Sequence, residues 1–411
     1  MQDNSSRIRN RADDILAVLQ QSRPAEEVFS PDFITAITPA QLRVFAEQME
    51  AGAGPLQSVK LAEPDGDAGT ARIVLRFAKA LGKGSFQLES REPYRVTGFR
   101  ITEFEPIDDS IEALTAEFRA LPGEVGVYFG PVGSADPVFA INPDQPFAIG
   151  SAFKLDVLAA LSRAVAEGRH RWEDVVALDR KSLPSGMMQD WPDGAPVTLH
   201  TLATLMISIS DNTATDQLIH LLGREAVEAE NMRAGNRHAD RNRPFLTTRE
   251  LFVLKAGTDA QLAQYAAASE ADRRTMLANI AQTLPSSEDI ERAFADGPRA
   301  LNVEWFASPR DIDRMFRHII DQGDSSALAI LAINPGTTPL PGDRWEYVGY
   351  KGGSEPGVLN LSWLLRDKQG QWWTLIASWN NQAATVDQSR FVQLARRLLL
   401  MAPTASGDSK P

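Results

Sequence analysis

The sequence predicts a mixed α/β chain of the α+β kind, built as two units. Three observations predict it. Two N-terminal segments carry apolar residues at helical spacing, and three strand-like runs come after them. Strand-like runs then stand at both ends of the remaining chain, with a helix-rich stretch between them. The length of 411 residues, 43% of them hydrophobic and 23% charged, suits two or more domains with cores of their own.

In order, "IRNRADDILAVLQQ" places Ile8, Ile15, Leu16 and Leu19 on one helical face. "TPAQLRVFAEQME" starts a second helix with Thr38 as N-cap and Pro39 at its first position. "TARIVLRFAKAL", "GSFQLES" and "PYRVTGFRITEFEP" read as strands, with "GKG" (Gly82 to Gly84) as the hairpin turn between the first two. Helices followed by a curled antiparallel sheet resemble the NTF2-like (cystatin-like) fold. Residues 1–106 are therefore expected to be a small α+β domain that binds or dimerises.

Residues 107–403 form the second unit. "VGVYFGPVGSADPVFAINPD" reads as a β-hairpin turning at "VGSAD", and helices are expected from Ser151 to about Gln322. "WEYVGYKGGSEPGVLNLSWLLRD" and "QWWTLIASWN" return to strand character, and "DQSRFVQLARRLLL" closes the unit as an amphipathic helix. One antiparallel sheet fed from both ends, with a separate helical lobe, is implied by that order. Active sites favour the cleft between such lobes. Residues 404–411 are expected to be a disordered tail.

The composition excludes several functions. With 42 basic and 54 acidic residues the net charge is −12, and there is no basic run to hold a nucleic acid. The absence of cysteine removes disulfides, thiolate catalysis and cysteine–metal sites. None of the five histidines stands at ligand spacing from another, so no metal and no cofactor are expected. No apolar run is long enough for a membrane span, and the N-terminus has no signal-peptide core. The protein is thus expected either to stay in the cytoplasm or, if an export signal has been removed, to work in the periplasm or outside the cell. Nine lysines stand against 33 arginines, so a lysine within a motif carries weight, because lysine, unlike arginine, can give up its proton.

Three short motifs carry candidate chemistry. Ser151 and Lys154 form the chain's one S-x-x-K, for which random composition gives about half a match. Residues three apart share a helix face, so Lys154 Nζ can reach Ser151 Oγ. The helix dipole favours an alkoxide and a neutral amine there, which makes a serine nucleophile beside its own base. The bland alternative is an N-capped helix with a solvated lysine. Ser210-Asp211-Asn212 separates two helical segments and reads either as another cap or as a proton-shuttling hydroxyl with an orienting amide. Lys351 ends a strand and is followed by Gly352 and Gly353, which let a ligand approach the backbone; the alternative is a glycine bulge with an edge lysine.

S-x-x-K, S-D-N and K-G-G in this order resemble the signature of class A β-lactamases and penicillin-binding proteins. The resemblance covers residues 107–403, and the separation of 59 between the first two motifs suits it. It implies Ser151 as acylated nucleophile, Lys154 as base, Ser210 as proton relay, Asn212 as orienting amide and Lys351 as the third-motif lysine. It implies an oxyanion hole from the backbone N–H groups of Ser151 and Ser354, and substrate contacts from Asn212, Gly352, Gly353 and Ser354.

The sequence departs from that pattern twice. Gly352 replaces the usual Thr or Ser, and Ser354 is the candidate to restore a hydroxyl. The Glu-x-x-Leu-Asn loop that activates the deacylating water is not found: "PFLTTREL" (Pro244 to Leu251), similar to the segment just past that loop, comes too early. Glu225, Glu228 and Glu230 stand between and are expected on an exposed helix face. The long spacing from S-D-N to K-G-G places an insertion at about residues 257–298. Together these features resemble the two-domain lactamase-like hydrolases found with clavulanic acid biosynthesis, for which esterase-type activity is reported. The expected function is a serine hydrolase acting through an acyl-enzyme on small ester or β-lactam-type substrates, with weak or no β-lactam turnover. Alternatives are a true class A β-lactamase, a D,D-peptidase-like penicillin-binding protein, or a binder acylated once.

Overall fold

The structure, a computed structural model, describes residues 4–66, 69–107, 110–336 and 344–401. The expected tail at 404–411 lies outside them. Two compact units divide the chain, Met1–Leu114 and Thr115–Pro411. No helix among the described residues is long and apolar enough to cross a membrane.

The first unit runs α1 (Asn4–Leu19), α2 (Ala25–Val28), α3 (Pro31–Ala36), α4 (Pro39–Ala53), β1 (Leu56–Pro64), β2 (Thr70–Phe77), β3 (Ala80–Leu88) and β4 (Val96–Pro106). The strands form one antiparallel sheet in sequence order. Its inner face (Ile73, Leu75, Phe77, Phe86) packs with Ile8, Ala12 and Ile15 of α1. Thr38 caps α4, as its sequence reads, and Gln41 completes a capping box with it.

The sequence reading errs at two places here. Gly82-Lys83-Gly84 lies inside β3, and the chain turns at residues 78–79 instead. The glycines serve close approach: a Cβ on Gly84 would run into Arg100 O, and one on Gly82 into the Phe77 ring. β1 has no counterpart among the expected strands, because bulges break the alternation that would reveal it.

The second unit continues with α5 (Ile111–Arg119, within which the division falls), β5 (Glu124–Pro131), β6 (Phe139–Ile141) and β7 (Phe147–Ala148). A 3₁₀ turn (Gly150–Phe153) leads into α6 (Lys154–Ala166). The helical lobe is next, with β8 (Val175–Ala177), β9 (Pro196–Thr198), α7 (Leu199–Ser208), α8 (Asn212–Leu222), α9 (Arg224–Arg233), α10 (Thr248–Ala256), α11 (Asp259–Ala267), α12 (Glu270–Ile280) and α13 (Ser287–Ala293). Then come β10 (Phe306–Ala307), α14 (Pro309–Gln322), α15 (Ser325–Leu331), β11 (Trp345–Glu355), β12 (Val358–Asp367), β13 (Trp372–Asn380) and α16 (Gln388–Met401).

The main sheet has the order β11-β12-β13-β5-β6, so both ends of the unit do build one sheet. β12 is buried along eight consecutive residues, because the sheet is covered on both faces. α6 runs through the core with every residue from Lys154 to Ser162 buried. A single apolar core joins α6, α7, α8, α10 and α14 to the sheet.

Candidate active site

Ser151 is not an N-cap. It sits in the 3₁₀ turn, α6 starts at Lys154, and neither segment is capped by a side chain. Gly150 holds φ +49°, a left-handed conformation that glycine adopts without penalty. β7, just before the turn, pairs with β10, Ile149 N donates to Trp305 O at 3.1 Å, and the Phe153 and Trp305 rings stack 3.7 Å apart. Ser151 is therefore fixed from both sides by backbone and ring contacts.

Lys154 is fully buried and brings the first two motifs together. Its Nζ lies 3.2 Å from Ser151 Oγ, 3.0 Å from Ser210 Oγ, 2.7 Å from Ser210 O and 2.7 Å from Asn212 Oδ1. The Ser210 carbonyl and the Asn212 amide oxygen can only accept, so they take two N–H groups of the amine. The remaining site of the nitrogen faces the two hydroxyls. Burial first, and the nearby Lys351 second, push the Lys154 ammonium well below its ordinary range. Among the groups around it, Asp216 and Asp211 oppose that shift.

The S-D-N segment divides its work. Asp211 is the N-cap of α8, accepting from Ala214 N at 2.9 Å, and its other oxygen accepts from Met187 N and Met188 N. That is the capping reading, realised at one residue of the three. Ser210, between α7 and α8, stands at φ +60°, an uncommon conformation for a residue with a Cβ, and its hydroxyl faces both lysines. Asn212 Nδ2 donates to Leu183 O at 3.2 Å, which fixes its amide with the oxygen toward Lys154.

Lys351 is 3% exposed and donates to Ser210 Oγ at 3.1 Å and Gly352 O at 2.6 Å. Burial lowers its pKa to about 7. Gly353 lies flat on the 3₁₀ turn, and a Cβ there would run into Ile149 O and the backbone nitrogens of Ser151 and Ala152. Glu355 pairs with Val358 across a two-residue turn, so ladder alternation turns the Ser354 N–H away from β12. A Cβ on Gly150 would meet that nitrogen, which places Ser354 N beside the Ser151 turn. At Gly352, which stands where the motif usually has a hydroxyl residue, the Tyr350 hydroxyl already fills the space a side chain would need.

Ser151, Ser210, Asn212, Lys351, Gly352, Gly353 and Ser354 line a cleft of about 480 Å³ in the second unit, with Trp305, Tyr350, Glu304 and Glu355 also on its wall. No motif spacing points to those four. Glu225, Glu228 and Glu230 do not line it. Contrary to the expectation of an exposed face, Glu228 and Glu230 are buried. Glu228 pairs with Arg274 and accepts from Phe245 N, while Glu230 pairs with Arg163, Arg233 and His318. Burial alone would raise Glu230, but the bonds from His318, Arg163 and Arg233 outweigh it and hold the group at about 2. Glu225 stays exposed, beside Arg274. "PFLTTREL" leads into α10, whose capping box is Thr247 with Glu250. No cluster of three or more His, Asp or Glu suited to a metal occurs among the described residues.

The family described as "Beta-lactamase enzyme family" matches residues 106–332, more than half of the chain. The chain belongs to the β-lactamase enzyme family. Among solved structures, the β-lactamase of Sphaerobacter thermophilus matches with TM-score 0.50 and 24% identity, covering 72% of this chain and 98% of that one. An ancestral class A β-lactamase matches with TM-score 0.50 and 16% identity, covering 71% and 99%. No curated protein matches. At these identities the structural matches show the fold, that of the β-lactamase-type serine hydrolases.

Proposed function

We propose that the protein is a serine hydrolase that forms an acyl-enzyme at Ser151 on small ester or β-lactam-type substrates, with weak or no β-lactam turnover. The observation that carries this is the buried Lys154 amine, set between Ser151 Oγ, Ser210 Oγ and Asn212 Oδ1. Ser151 Oγ attacks the carbonyl carbon and passes its proton to the neutral Lys154 amine. The carbonyl oxygen, now an oxyanion, accepts from the N–H groups of Ser151 and Ser354. Collapse breaks the bond to the leaving group, which takes the proton through Ser210. Water then attacks the acyl carbon, again giving up a proton to Lys154; the bond to Ser151 Oγ breaks, Ser151 Oγ takes that proton from Lys154, and the acid leaves. Asn212, Gly352, Gly353 and Ser354 line the substrate side, and Lys351 supplies positive charge to Ser210 Oγ.

Slow β-lactam turnover is favoured because none of the three candidate glutamates reaches the cleft. The test pairs p-nitrophenyl esters with nitrocefin, for wild type and Ser151→Ala. Ester turnover lost in Ser151→Ala supports the reading, and turnover persisting in it overturns the reading. Rapid nitrocefin turnover identifies a true β-lactamase instead. Release of D-Ala from a D-Ala-D-Ala peptide, with stable blockage by penicillin, identifies a D,D-peptidase. Stoichiometric labelling without turnover of any substrate identifies a binder acylated once.

A further inference from the structure

The acylation and deacylation steps leave unused a cluster of three ionisable side chains, Glu304 and Glu355 on the cleft wall and Lys255 bound to both. Lys255, on α10, is fully buried, and its ammonium donates to Glu304 Oε1 at 2.9 Å and to Glu355 Oε1. Glu304 is 4% exposed and its other oxygen accepts from Trp305 N at 3.1 Å. Two carboxylates and one ammonium in a buried place would leave an uncompensated charge. Burial first, then the neighbouring Glu304, push Glu355 well above the carboxylate range, while Lys255 opposes it. Burial lowers Lys255, but Glu304 and Glu355 outweigh it and hold it above its usual value. Glu355 is thereby favoured in its protonated form, and a proton held between it and Glu304 makes the cluster neutral. Glu304 and Lys255 are the charged groups that face the Glu355 carboxyl. Arg299, nearby, is bound to the Lys255 backbone carbonyl, and the Phe294 ring lies 5.8 Å from the Lys255 ammonium.

The cluster joins the two sides of the oxyanion hole. Glu304 precedes Trp305, whose carbonyl accepts from Ile149 and whose ring packs on Phe153, on either side of Ser151. Glu355 directly succeeds Ser354 at the end of β11. Resting on the acyl-enzyme reading, we propose that Lys255, Glu304 and Glu355 form a proton-sharing clamp that positions the N–H groups of Ser151 and Ser354, and that loss of its proton weakens acylation. Without the proton, Glu304 and Glu355 repel each other, and a net negative charge stands beside the place where the oxyanion forms. Glu304 and Glu355 are thus positioning residues.

The test measures phosphonylation of Ser151 by a fluorophosphonate, read by intact mass from pH 6 to 10, in wild type, Glu355→Gln and Glu355→Ala. The amide of Glu355→Gln donates to Glu304 and does not ionise. It is expected to label about tenfold faster than Glu355→Ala, a partial loss beside the larger cost of deleting an oxyanion donor outright. Its rate is also expected to escape the part of the alkaline decline that Glu355 causes in wild type. Lys351 titrates in both proteins, so the difference between them isolates the clamp. Matching pH profiles for wild type and Glu355→Gln, or Glu355→Ala labelling as fast as Glu355→Gln, would overturn the clamp and leave the acyl-enzyme reading standing. No labelling of wild type at any pH overturns both.

Discussion

Replacing Lys351 by Met removes a buried amine that the fold holds against its chemistry. An unfolded lysine titrates near 10.5, whereas burial brings Lys351 to about 7. At neutral pH and below, the folded protein must either bury the ammonium or give up its proton. The gap corresponds to about 5 kcal/mol, at about 1.4 kcal/mol for each pH unit. The sign comes from proton binding. Between about pH 7 and 10.5 the native state holds fewer protons at this residue than the unfolded chain, so this contribution to wild-type stability rises with pH and is at its lowest below 7. Lys351→Met lacks the effect. Its stability relative to wild type is therefore greatest below pH 7, and falls by about 2 kcal/mol between pH 7 and 9.

Urea unfolding monitored by tryptophan fluorescence reads this cleanly, because all eight tryptophans lie after residue 114, in the second unit. Two proteins whose unfolding free energies run parallel with pH would refute the argument. The same substitution removes a positive charge that helps to hold Lys154 low. The acid limb of Ser151 labelling is expected to move to higher pH in Lys351→Met, whatever its remaining rate.

Two further outcomes rest on packing. Gly353→Ala must displace β11 from the Ser151 turn, because a Cβ meets backbone atoms that cannot rotate away; Ser151 labelling is expected to fall about 100-fold, comparable to loss of an oxyanion donor, and a rate within about threefold of wild type would contradict the proposed hole. Glu230→Ala leaves Arg163, Arg233 and His318 without their shared carboxylate. It is expected to cost about 3 kcal/mol in urea unfolding, the low end for a broken buried ion pair because Arg163 stays partly exposed, with ester turnover of the folded enzyme unchanged.

Local rules made some of this protein legible in its sequence. The Thr38 cap and the strand runs of β12 and β13 depend on neighbours within a few residues. Ser151 and Lys154 are three apart, so their contact is available to any helical turn. Where the outcome depended on distant partners, the sequence misled or was silent. Gly82 and Gly84 serve contacts with Phe77 and Arg100, and pass for a turn when read locally. Glu228 and Glu230 look like a solvated face until Arg274, Arg163 and His318 are brought to them. Glu304 and Glu355 belong to no motif.

By itself, then, the sequence determined the order of most of the elements, the sheet fed from both ends, and the three motifs that folding gathers around one lysine. Only the tertiary structure decided the character of that lysine. S-x-x-K is compatible with a capped helix and a charged side chain in water. It becomes a candidate base because the core closes over Lys154, and Ser210 and Asn212, more than fifty residues away, take its hydrogens. Burial and long-range polar contact set the protonation state of a side chain, and no spacing within a helix can fix either.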